Sequence, residues 1–153
     1  MCRQAAGRLY IFIDKSNGVY AFIAVEEANL KETIRALGWV VHFKEMGKMK
    51  KKGFLGAFPR RFRKIKRHLA YARFTLSLED IHRFLASIEQ RCHVIYCDDT
   101  IYDWLKKRGH NPIPESKMPQ KFRQLMLLAD NLANYCRIAL KRGLNRKIKE
   151  IVK

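Results

Sequence analysis

Residues 8–25 read RLYIFIDKSNGVYAFIAV. Two apolar runs, 9–13 and 19–25, flank a short polar turn, Ser16-Asn17-Gly18. Asn-Gly between apolar runs is the strongest short-range hairpin signal, so residues 8–14 and 19–25 are expected to pair as adjacent strands. Both runs are apolar at odd and even positions. That pattern suits strands covered on both faces, near the middle of a sheet. The first run nevertheless ends in Asp14, and a buried carboxylate is costly unless it is paired, hydrogen-bonded or metal-bound.

Further along, residues 27–37 have helix spacing in Leu30, Ile34 and Leu37, with Gly38 as a stop. Residues 39–43 are expected as a short strand. Ser77 opens a helix with Glu79 and Asp80 in its first turn, a capping arrangement. CHVIYCDD, residues 92–99, reads as a strand ending in acid, followed by a helix near 100–107. HNPIPESKMP is a Pro-rich connection. The longest helix is expected over 119–142, ended by Gly143. Strands that alternate with helices after a hairpin predict an α/β fold with a mixed sheet flanked by helices. The chain is long enough for one domain with a proper core, and residues 1–153 are read as one. A basic arm is inserted at about 47–73, and a basic tail runs over about 143–153.

The 153 residues carry 32 Lys and Arg against 14 Asp and Glu, a formal charge of +18. A small chain this basic points to a polyanionic partner, nucleic acid first and an anionic membrane surface second. Residues 47–73 hold 11 Lys and Arg and no acid. Their Gly-rich first part reads as a mobile loop, and a helix is expected from Pro59, with the proline at its first position. Lys50, Lys51, Lys52, Arg60, Arg61, Arg63, Lys64 and Arg67 are the candidate phosphate contacts. Phe54, Phe58 and Phe62 recur every four residues. They would either stack on unpaired bases or anchor the arm to the core. No apolar run reaches about 18 residues, which excludes a membrane-spanning helix. The N-terminus lacks the apolar core of a signal peptide, so the expected location is the cytoplasm. Cys2, Cys92, Cys97 and Cys136 form no metal-binding spacing, and Cys97 and Cys136 read as core residues.

With so few acids, each can be weighed. Glu26, Glu27, Glu32, Glu89, Glu115 and Glu150 fit helix faces or turns, where a solvated or ion-paired role suffices. Asp14, Asp98 and Asp130 do not. Two end strand-like runs, and the third lies in LMLLADNLANYC. Ligands bind beyond strand ends in open α/β sheets, so these three are expected to converge. Clustered carboxylates repel, and a divalent cation cancels that repulsion. An all-oxygen set suits Mg²⁺ or Mn²⁺. Asp99 rivals Asp98, but alternation turns the two side chains apart. Carboxylate-held Mg²⁺ beside a polyanion-binding surface points to phosphodiester chemistry.

The segments YIFIDKSNG, VIYCDDTIYDWL and ADNLANYC resemble, in order and setting, the three motifs of the ribonuclease H-like superfamily of nucleases. The first and third also resemble a small branch in which the turn is usually Asp-Glu-Ser-Gly; here it is Asp-Lys-Ser-Asn-Gly. The resemblance implies a ribonuclease H-like fold and hydrolysis assisted by two divalent ions about 4 Å apart. Asp14, Asp98 and Asp130 would be ligands. Glu79 would be a fourth catalytic carboxylate, on the helix before the second motif. It also singles out His110, in a loop before the last helix. Similarity to small archaeal exonucleases of this fold makes single-stranded DNA, trimmed from its 3′ end, the expected substrate. The rivals are an endonuclease on RNA–DNA hybrid or branched DNA, and a non-catalytic nucleic-acid-binding module.

Overall fold

The computed structural model describes residues 7–153; Cys2 lies outside them. Five strands occur, β1 Leu9–Ser16, β2 Val19–Glu26, β3 Tyr71–Thr75, β4 Cys92–Cys97 and β5 Ile113–Pro114. The α-helices are α1 Leu30–Arg35, α2 Lys48–Lys66, α3 Leu78–Ser87, α4 Asp99–Lys107, α5 Arg123–Lys141 and α6 Asn145–Ile151. The strands form one mixed sheet in the order β3-β2-β1-β4-β5. Strands β3, β2 and β1 are antiparallel in succession, whereas β1, β4 and β5 run parallel. The expected α/β class with a mixed sheet flanked by helices is what forms.

The hairpin closes through Asn17 (φ 43°) and Gly18 (φ 81°), the left-handed pair that a two-residue turn requires. Alternation along β1 and β2 explains why both runs are apolar throughout. Phe12, Ala21, Ile23 and Val25 face α2, α5 and α6, while Leu9, Ile11, Ile13, Phe22 and Ala24 face α3 and α4. The two central strands are therefore covered on both sides. Ser77 caps α3 as expected, accepting the Glu79 amide at 3.2 Å. Gly143 (φ 69°) ends α5.

Two expectations about elements fail. Residues 39–43 are not a strand, because α5 takes up their backbone groups. Gln124 Nε2 donates to the Leu37 and Val40 carbonyls, Asn131 Nδ2 donates to the Val41 carbonyl, and the Phe43 amide donates to Asp130. The third strand is instead Tyr71–Thr75, paired with β2. The basic arm is also not a loop followed by a helix from Pro59. It is one helix from Lys48, with Pro59 inside it. Phe54, Phe58, Phe62 and Ile65 are all buried on one side of it. The rings stack in succession at 5.2 and 5.3 Å, and Phe58 meets Tyr135 of α5 at 5.3 Å. This tertiary packing overrides the poor helix propensity of Gly53, Gly56 and Pro59. The aromatic rings anchor the arm to the core.

Candidate metal centre

The register of the parallel strands builds the site. Ile13 pairs with Cys97, and Cys97 pairs with Pro114. The next residue on each chain is Asp14, Asp98 and Glu115. The Asp98 amide donates to the Ile13 carbonyl at 2.9 Å, which fixes the two aspartates side by side. Carboxylate oxygens of Asp14, Asp98 and Glu115 all lie within 4.8 Å of one another. Ligand oxygens of a Mg²⁺ octahedron lie about 3.0 Å apart when adjacent and about 4.2 Å when opposite. The all-oxygen set would close around a hard divalent ion by moving inward.

Asp14 is 6% exposed. Its carboxylate accepts one hydrogen bond, from the Lys15 amide at 2.8 Å, and no cation pairs with it among the described residues. Burial, reinforced by Asp130, Glu115 and Asp98, pushes its pKa up to about 8 despite that bond. Glu115 is likewise raised, first by burial and then by Asp98 and Asp99. Asp98 spends one oxygen capping α4, where it accepts the Thr100 amide at 2.8 Å and the Thr100 hydroxyl. Its second oxygen remains for a ligand.

Asp130 is brought close and stands outside the set. It is buried in α5, and its charge is felt at Asp14 and Glu115. Both of its oxygens already have donors, the Phe43 amide at 3.0 Å and Asn134 Nδ2 at 3.2 Å. It does not join the set within 4.8 Å. Asn134 continues the network, accepting from the Ser16 hydroxyl at 2.9 Å and from Arg137 at 3.1 Å. The alternation expected of Asp98 and Asp99 does not apply, because β4 ends at Cys97 and Asp99 opens α4; Asp99 accepts the Ser116 amide at 3.1 Å. That bond ties the loop bearing Glu115 to the start of α4.

Glu79 does not reach the cluster. It sits at the start of α3, on the opposite side of the sheet from α5, and pairs with Arg108 at 3.3 Å. His110 also lies on the α3–α4 side, where its Nε2 meets His82 Nδ1 at 2.8 Å. Glu115 is the residue that the sequence reading assigned to a solvated turn. Its signal was Ile113-Pro114, a two-residue strand hidden in a Pro-rich connection.

All eight basic candidates, Lys50, Lys51, Lys52, Arg60, Arg61, Arg63, Lys64 and Arg67, are exposed. None forms an ion pair with an acid among the described residues. They make α2 a helix with an apolar inner face and a cationic outer one. Cys97 and Cys136 are buried, their thiols pushed up to about 12, as core residues should be. No helix among the described residues is long and apolar enough to cross a membrane. No protein-family model matches the chain, and no curated protein matches its sequence.

Proposed function

We propose that this chain is a divalent-metal-dependent nuclease of ribonuclease H-like fold, acting on single-stranded DNA from the 3′ end. The observation that carries the reading is the meeting of Asp14, Asp98 and Glu115 where the pairing of three neighbouring parallel strands stops, with the buried Asp14 paired with no cation among the described residues. The ribonuclease H-like reading is supported by a central first strand with Asp14 near its end, a parallel partner followed by Asp98, and a last long helix that carries Asp130 close to Asp14. The nucleic-acid reading is supported by the unpaired cations of α2.

In this reading Asp14, Asp98 and Glu115 would hold Mg²⁺ or Mn²⁺, which would supply activation of a water and stabilisation of the leaving oxygen. Asp130 positions: it fixes segment 41–43 through the Phe43 amide and adds negative charge that favours cation uptake. The exposed cations of α2 bind phosphates along the strand. No nucleophile from the protein is required.

The test is cleavage of 5′-labelled single-stranded DNA with and without Mg²⁺ or Mn²⁺, by the wild type and by Asp14→Asn. The expected result is a metal-dependent ladder that shortens from the 3′ end, lost in the variant. Internal products on hybrid or branched duplexes would move the activity to an endonuclease. Binding without cleavage of any substrate under any metal would leave a nucleic-acid-binding module and end the nuclease reading.

A further inference from the structure

A second feature lies next to the carboxylates. Between α2, segment 39–46 and α5 is a cavity of about 170 Å³, lined mainly by apolar side chains, Trp39, Phe54 and Phe58 among them. About 150 Å³ of apolar cavity accommodates one benzene ring. The cavity is thus sized for a single aromatic ring and is open to solvent on one side.

Three polar groups distinguish it from a packing defect. Asn131 lines it and is fully buried. Its Nδ2 donates to the Val41 and Leu127 carbonyls, both at 2.8 Å, which orients the amide. Its Oδ1 then has no hydrogen-bond partner. A buried acceptor left unpaired is costly, and this one lies beneath the lining, closed to solvent. At the rim stand Lys50 and Arg61, both exposed and neither paired with an acid among the described residues. The Arg61 guanidinium lies 5.4 Å from the Trp39 ring, so a cation and an aromatic edge flank one opening. An apolar slot for a ring and two cations at its mouth match a nucleotide: base inside, phosphate outside.

We infer that this cavity binds one unpaired base of a single-stranded nucleic acid, with Lys50 and Arg61 on the adjoining phosphate. A base within a duplex offers only its edge and cannot insert its ring, so the cavity selects single strands. Asn131 directly follows Asp130 in α5, and segment 41–43 is tied to both residues. A strand with one base in the cavity therefore runs beside the carboxylates. The inference deepens the nuclease reading and rests on it for the identity of the ligand.

The test needs no cleavage. Trp104→Phe leaves Trp39 as the sole tryptophan, since the chain has two. Its emission is followed, with EDTA present, as oligothymidylate of four nucleotides is added, and again with a tetranucleotide of abasic sites that carries the same phosphates. The expected result is a saturating change with the thymidylate at an affinity about tenfold higher than with the abasic strand, in line with stacking of one base. Gly53→Leu should abolish that preference, because a side chain there enters open space and fills the slot without removing a contact. Ala57→Leu fills the same slot from the next turn and should act alike. Equal affinity for the two strands, no binding of either, or a preference unchanged in both filled variants would overturn the inference. DNA cleavage by a protein with no base preference would remove the cavity's role alone. A base preference in a protein that cleaves nothing would remove the nuclease reading alone.

Discussion

Asp14 concentrates the cost of the site. Its folded-state pKa of about 8 stands above its ordinary value of 3.8, mainly through burial. Between those values the unfolded chain releases the proton and the folded chain keeps it, so stability falls as pH rises. Each unit of difference is worth about 1.4 kcal/mol, which makes the full cost on the order of 5 kcal/mol above pH 8, as an upper bound. In EDTA, the melting temperature of the wild type should decline from pH 5 to pH 8, and that of Asp14→Asn should decline less. Mn²⁺ should restore the wild type at pH 8 and leave the variant unmoved. Parallel pH profiles for the two proteins would contradict this account. A second pair separates the glutamates. Glu115→Gln should lower cleavage by more than about 100-fold, beyond the loss typical of an outer partner of a metal ligand. Glu79→Gln removes only a surface ion pair, worth about 0–1 kcal/mol, and should keep its rate. Steady-state kinetics on one single-stranded substrate reads both. At this scale the sequence was legible where a carboxylate closes a long apolar run, as at Asp14 and Asp98. It was opaque at Glu115, because a two-residue strand, Ile113-Pro114, carries no periodicity. Nor could it tell that Asp130 spends its oxygens on an amide and an asparagine.

Among the elements, α2 shows most clearly what local pattern can and cannot decide. The four-residue recurrence of Phe54, Phe58 and Phe62 was visible, and it is the spacing of one helix face. What it faced was not visible, because Tyr135 lies more than 70 positions away in sequence. Gly53 and Pro59 argued for a loop and a fresh helix start; the buried rings prevailed. Phe58→Ala should therefore cost about 3–5 kcal/mol in urea unfolding, whereas Lys52→Ala should cost almost nothing. A small effect at Phe58 would mean that α2 is held by something other than its rings. Segment 39–43 misled for the opposite reason. Trp39, Val40, Val41 and Phe43 have strand composition, but α5 satisfies their backbone before any sheet neighbour can.

For the whole molecule, charge and topology divide the labour. Three parallel strand ends gather the acids, and the cations of α2 lie outside on a helix packed against α5. The cations thus stand on one element and the acids on others. Replacing Arg60, Arg61 and Arg63 together by Gln should leave the melting temperature within a few degrees. The slope of log affinity against log salt for single-stranded DNA should become shallower by about 2, as expected for three lost phosphate contacts. Fluorescence anisotropy across a salt series measures it, and an unchanged slope would take those side chains out of the interface.

The three acids are also mounted unequally. Asp14 stands in β1 and Asp98 directly after β4, locked by a backbone bond between Ile13 and Asp98. Glu115 stands directly after the two-residue β5 and is secured to α4 through Asp99 and Ser116. One strand ladder therefore carries all three acids, while the third also hangs on a single bond from an amide to a carboxylate, so loss of Asp99 would loosen Glu115 and leave the two aspartates where they are.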